Sequence, residues 1–114
     1  MSNNLELNQR ILDMAEGDDE FRSELISAIY TGLMELQTVY AQGRIEKDKV
    51  KIQQIRHKIK PTLVMFDFDQ VAVSLEEGRE ILDAQGFGLA FESHFLSFLI
   101  LMDLVLLDVK RLKE

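Results

Sequence analysis

Two neighbouring stretches of this chain hold residue types that can form a bond to phosphorus. The first is Ile55-Arg56-His57-Lys58-Ile59-Lys60-Pro61, in which an imidazole stands three residues before an ammonium group. A neutral imidazole nitrogen is a good nucleophile near neutral pH. On a helix Lys60 lies one turn beyond His57 on the same face, where it can offset charge on a group attached to the ring. The second stretch is Leu63-Val64-Met65-Phe66-Asp67-Phe68-Asp69-Gln70, an apolar run ending in Asp-x-Asp. Its carboxylates could attack phosphorus or hold Mg²⁺. The two chemistries demand different supports, because the histidine needs an exposed helix face and the aspartate needs the end of a buried strand.

The surrounding elements are all helical by pattern. Gly17, Gly43, Pro61, Gly86 and Gly88 are the main punctuation, and no repeat, low-complexity tract or linker divides the chain. A short first helix is predicted over Leu5 to Ala15, ending at Gly17. Asp18 or Asp19 can cap a longer second helix, in which Phe21, Leu25, Ile29, Leu33, Leu36 and Tyr40 recur at steps of three and four as far as Gly43. A third helix is predicted from near Ile45 to Phe66. A fourth runs from about Gln70 to Ala84, with Ala72, Leu75, Gly78 and Leu82 facing inward. The fifth carries Phe91, Phe95, Phe98, Met102, Val105, Val109 and Leu112 at the spacing of a bundle seam. Leu96, Leu99, Ile100, Leu104 and Leu107 widen its apolar surface, so this helix is either central to the bundle or partly buried against another chain. The expected fold is all-α: an up-down antiparallel four-helix bundle with a short additional N-terminal helix, as one domain over residues 1–114.

Helical periodicity separates the two candidates. At about 100° per residue, Ile52, Ile55, Ile59, Leu63 and Phe66 fall in one narrow sector and form the core face. His57 lies roughly 160° from the centre of that sector, together with Gln53, Lys60 and Val64, and is expected to face solvent. Pro61, one turn beyond His57, has no amide to bond the carbonyl of residue 57, and a proline inside a helix costs about 3 kcal/mol. The aspartate reading lacks context, since helical pattern precedes Asp67 and no alternation of strands and helices follows it. The role expected for Asp67-Phe68-Asp69-Gln70 is a turn, with Asp67 ending one helix and Asp69 capping the next. His94, among Phe91, Phe95 and Phe98, reads as a satisfied or half-buried histidine.

The run His57-Lys58-Ile59-Lys60-Pro61 is similar to the H-x-L-K-G signature of histidine phosphotransfer domains, including the apolar residue two places after the histidine and the lysine three places after it. Residues 16–43 resemble that family's acidic-capped helix preceding the histidine helix, and residues 74–82 resemble its following helix. The likeness covers roughly Leu12 to Leu82. It implies a phosphorelay intermediate without catalytic turnover of its own. His57 would accept a phosphoryl group from the aspartyl phosphate of a response-regulator receiver domain, fed by a hybrid histidine kinase, and pass it to another receiver. Mg²⁺ would belong to the receiver, so no cofactor is expected in this chain. Val50, Gln53, Gln54, Lys58, Lys60, Pro61 and Val64 would form the docking surface around His57.

The chain departs from the family pattern at three places. Pro61 stands where the family usually has Gly, and Asp67 where Gly commonly ends the histidine helix. Arg79 holds the position of a polar residue that orients the imidazole. Arginine donates and does not accept, so Arg79 either contacts phosphate or pairs with Glu76 or Asp83. These departures motivate an alternative expectation, a helical interaction module of a signalling system that has kept the bundle without phosphotransfer. A minor alternative rests on the similarity of residues 63–74 to the first motif of haloacid dehalogenase-like phosphatases, with Asp67 as nucleophile and Gln70 where that family has Gly.

Composition narrows the partners. A chain of 114 residues is long enough for one compact core. Its formal net charge of −7 repels phosphate backbones and anionic lipid surfaces, so neither nucleic acid nor membrane is an expected partner. With no cysteine, a disulfide framework or a cysteine-based zinc site is impossible. The first ten residues lack a basic start and an apolar signal core, and the apolar run at residues 95–107 is interrupted by Ser97 and Asp103. A cytoplasmic location is the expectation. The resemblance to histidine phosphotransfer domains implies a monomer, and wide apolar stripes such as that of the fifth helix are normal on central helices.

Overall fold

The computed structural model describes residues 3–113. Five helices follow one another: α1 (Asn3–Ala15), α2 (Asp19–Glu46), α3 (Lys49–Met65), α4 (Asp69–Gln85) and α5 (Leu89–Leu112). The Asp18 carboxylate starts α2 by accepting the Phe21 amide at 3.0 Å. That helix does not end at Gly43. It runs three residues further and closes on Lys47, which takes the left-handed conformation at φ 53°. Gly43 lies inside the helix, and a Cβ there would come within 2.5 Å of Ile52 Cγ1 on α3. It is a close-approach glycine rather than a terminator. Asp48 then caps α3 by accepting the Lys51 amide at 3.0 Å, which moves the start of α3 from Ile45 to Lys49.

The turn after α3 also differs in detail from the expectation. Asp67 is left-handed at φ 56°, Phe68 occupies the cap position without a side-chain bond, and Asp69 is the first residue of α4. Asp69 therefore favours α4 through its charge at the positive helix end and not as its cap. Gly86, at φ 73°, ends α4 as expected.

Short connections turn each helix back on the last. Helix α2 packs on α3, α3 on α4, α4 on α5 and α5 on α2, while α1 lies against α2 and α5. The bundle measures 47 × 27 × 20 Å, its long axis matching the 28 residues of α2.

Ile52, Ile55, Ile59, Leu63 and Phe66 are all buried, so the core face of α3 is the one periodicity predicts. The α2 seam is Ile26, Ile29, Leu33, Leu36, Tyr40 and Gly43. Phe21 is 43% exposed rather than buried, because it projects about 90° from the centre of that seam. On α4 the inward residues are Val71, Ser74, Leu75, Gly78 and Leu82. Ala72, about 100° away from them, is exposed instead. On α5, Phe91, Phe95, Phe98, Met102 and Val109 are buried, together with His94 and Leu106, while Val105 and Leu112 are only partly covered. The other side of α5 keeps Leu89, Leu96, Ile100, Leu104 and Leu107 in solvent. By length and composition alone α5 is apolar enough to cross a membrane, and its phenylalanine side forms the inner seam of the bundle.

Candidate functional site

Because the isoleucine stripe of α3 is turned to the core, the opposite side of the helix is presented to solvent. His57, Lys60, Pro61 and Val64 are all exposed there. Pro61 lies within α3, which continues past it to Met65. Two shallow depressions meet at His57. One follows α3 itself and is bounded by His57, Lys60, Pro61, Val64 and Met65. The other, of about 320 Å³, lies between α3 and α4 and takes Gln53, Arg56, His57 and Lys60 from one wall and Ala72, Leu75, Glu76 and Arg79 from the other. The α4 residues are spaced three, four and seven apart, one stripe of a helix. The imidazole thus stands on a ridge between an apolar platform and a charged groove.

Angular position on α3 explains which residues join the groove. Measured from the core centre, Arg56 lies at about 60°, Lys60 at about 100° and Gln53 at about 120°, all rotating toward α4. Lys58 rotates about as far the opposite way. Its ammonium group donates to Glu35 of α2 at 3.0 Å, so it serves the α2–α3 contact and not the groove. Val50 and Gln54 are exposed on α3, and Val50 shares the His57 face two turns earlier. Neither lines the two depressions beside His57.

The charged residues of the groove are three cations, Arg56, Lys60 and Arg79, and one anion, Glu76. Arg79 donates from Nε to both Glu76 oxygens, at 3.0 and 3.1 Å, and from a terminal nitrogen to Asp83 at 3.1 Å. The guanidinium holds the Glu76 carboxyl below the usual carboxylate range, and the fields of Arg56 and Lys60 act in the same direction. Glu76 in turn raises the affinity of Arg79 for its proton. Of the two roles open to Arg79 in the sequence, pairing with Glu76 and Asp83 is the one built. Among the described residues Arg56 and Lys60 have no carboxylate within salt-bridge distance. Arg56 is the groove residue that sequence reasoning missed. Its spacing of four from Lys60 was the available signal, obscured by its nearness to the core sector.

The remaining polar sites are structural in their surroundings. The Asp67 carboxylate accepts a hydrogen bond from Arg10 of α1, which also reaches the Met65 carbonyl at 3.4 Å. Asp67 lies in a turn between two helices, and no strand occurs among the described residues. The scaffold that a dehalogenase-like nucleophile requires is therefore not present around it. Among the described residues no group of three or more His, Asp or Glu is gathered to hold a metal ion. His94 is buried and shares a hydrogen bond of 2.8 Å with the Tyr40 hydroxyl, which makes it the satisfied core histidine expected from its neighbours.

Comparison with known proteins found no matching family model, and neither a curated protein nor a solved structure matches the chain.

Proposed function

We propose that this chain is a phosphorelay intermediate of the histidine phosphotransfer kind, with His57 as the phosphoryl carrier. The observation that carries the reading is the surroundings of His57. It is an exposed imidazole on a rigid helix, with Lys60 and Arg56 toward the groove and Pro61, Val64 and Met65 forming a platform beside it. The similarity of His57–Pro61 to the family signature supports it independently.

In the proposed step a neutral ring nitrogen of His57 attacks phosphorus of a receiver aspartyl phosphate. The N–P bond forms as the P–O bond breaks, and the bonding pair stays on the receiver carboxylate. Lys60 offsets negative charge on the transferred group. The reverse step on a second receiver returns the nitrogen lone pair to His57. The receiver brings Mg²⁺ and its acidic pocket, and a hybrid histidine kinase supplies the first receiver's phosphoryl group. On this reading the protein acts in the cytoplasm, as a carrier and not an enzyme.

A second reading, a helical interaction module without phosphotransfer, is favoured by Arg79, which is held along its own helix by Glu76 and Asp83. Incubation with phosphorylated receiver domains, followed by mapping of the modified residue, separates the two. The relay reading expects label on His57, stable to alkali and absent from His57→Gln. Alkali-labile label that persists in His57→Gln would move the chemistry to a carboxylate such as Asp67. Failure of every receiver from the source organism to label the wild-type chain supports the interaction module.

A further inference from the structure

The α3–α4 groove beside His57 already contains one anion. Among the described residues Glu76 is the one carboxylate that lines it, facing Arg56 and Lys60 across the groove and accepting hydrogen bonds from Arg79 on its own helix. Arg56 is half-buried, and a guanidinium taken partly out of water is costly unless negative charge lies close. Ala72, whose side chain is a single methyl group, leaves the groove open next to these cations. The three cations line the same groove as the imidazole, beside which a phosphoryl group attached to His57 would stand.

We infer that Glu76 is a surrogate anion: in the unmodified protein its carboxylate occupies the field of Arg56, Lys60 and Arg79, and a phosphoryl group on His57 displaces it and takes Arg56 and Arg79 as partners. The inference deepens the phosphohistidine reading and rests on it. A phosphoryl group brings close to two negative charges and three acceptor oxygens, against one charge and two oxygens for the carboxylate, so it wins the competition for fork-shaped guanidinium donors. Glu76 lies on the exposed face of α4 and can turn to solvent, as surface ion pairs hold their partners weakly. Asp83 keeps its hold on the other edge of Arg79, so the guanidinium pivots without being set free. The exchange makes Glu76 a regulator of the carrier. It favours the unmodified imidazole and so promotes onward transfer.

The exchange is tested on the full chain with phosphoramidate, which needs no receiver. His57 attacks phosphorus, the N–P bond to the ring forms, and the donor's P–N bond breaks with its electron pair leaving on ammonia. Phosphorus NMR then follows the lifetime of phosphohistidine. Glu76→Gln is expected to lengthen that lifetime several-fold and Arg56→Met to shorten it several-fold. Thermal melts of both variants verify that they are folded. In the wild type, the side-chain Nε–H signals of Arg79 and Arg56 should move on phosphorylation. In Glu76→Gln the Arg79 signal should start displaced. Equal lifetimes in the three folded proteins, an Arg79 signal indifferent to phosphorylation, or no label on wild-type His57 would each overturn the exchange. Receiver transfer that succeeds while lifetimes are equal leaves the relay standing without the exchange. Lifetimes that differ while every receiver fails leave the anion exchange standing without the relay.

Discussion

The Tyr40 hydroxyl on α2 and Nε2 of His94 on α5 are joined by a hydrogen bond of 2.8 Å, and Gly78 of α4 closes over the pair. Phe91 and Phe98 pack against both rings, so the two polar tips find each other inside an aromatic cluster. A Cβ on residue 78 would overlap the tyrosine oxygen and come within 2.5 Å of the imidazole nitrogen. This glycine is there for the contact, in spite of its poor helix propensity.

Gly78→Ala is therefore expected to destabilise the bundle by about 1–3 kcal/mol, although alanine gains about 1 kcal/mol of helix propensity. Tyr40→Phe should cost a similar amount, about 1–3 kcal/mol, by leaving the buried histidine nitrogen unpaired. The double variant should lose less than the sum, since removing the hydroxyl removes part of the overlap. Urea denaturation of the four proteins completes the cycle, and strict additivity would show that Gly78 is not in contact with the pair.

Stability should fall on mild acidification. Burial depresses the pKa of His94, partly opposed by the field of Glu77, while the Tyr40 hydroxyl stays protonated because its own pKa is raised by burial. The unfolded chain takes up a proton near pH 6.5, whereas the folded protein resists protonation until lower pH. The stabilising contribution is thus complete above about pH 6.5 and declines as pH falls toward the depressed value. In His94→Gln the loss of stability between neutral pH and pH 5.5 should be smaller than in the wild type. Identical slopes in the two proteins would assign the effect to other groups.

Lys60 and Lys58 should behave differently despite their proximity in sequence. Lys60→Ala is expected to slow transfer from a phosphorylated receiver roughly tenfold, through loss of one charge-assisted contact, with stability changed by less than about 0.5 kcal/mol. Lys58→Ala should leave transfer unchanged, because its ammonium group is engaged with Glu35 on the α2 side. Equal slowing by both substitutions would mean that general positive charge, and not position on α3, governs the reaction.

Lys47→Gly should raise stability by roughly 1 kcal/mol. Lys47 ends α2 in the left-handed conformation at φ 53°, where a side chain is disfavoured and glycine is not. The midpoint of thermal unfolding measures the gain, and a lowered midpoint would show that the lysine side chain contributes more than its backbone strain costs.

The exposed stripe of α5 sets the last prediction. Leu96, Ile100 and Leu104 are 59–65% exposed and lie on one side of a single helix. A stable interface buries about 800 Å² per partner, spread over some 20–30 residues a side, more than one narrow stripe provides. Light scattering at micromolar concentration should report a monomer, and Leu104→Glu should melt with the wild type. A doubled mass abolished by Leu104→Glu in a folded protein would identify the stripe as an interface between copies.

The existence and kind of every helix, the Asp18 cap, the isoleucine face of α3 and the exposure of His57 were legible in the sequence. Each is a local matter: 3.6 residues per turn and a capping carboxylate act within one helix, and their signature is written in that helix's own residues. Two errors are local, the Asp48 cap overlooked and Asp69 taken for a cap, and the others fall where a second helix intervenes. Gly43 looked like a stop and proved to be the place where Ile52 approaches, while Phe21 and Ala72 fitted a stripe by spacing and were left outside it by the seam that the neighbouring helices define. Which donors and acceptors surround His57 was likewise decided between elements. Arg56 became a groove residue because α4 lies on that side of α3, and Lys58 meets Glu35 because α2 lies on the other. Periodicity says which way a side chain points from its own helix axis. Only the packing of α2, α3 and α4 says what it meets there, since those contacts join residues on different helices, from nine positions apart for Gly43 and Ile52 to twenty-three for Glu35 and Lys58, beyond the reach of any rule confined to one helix.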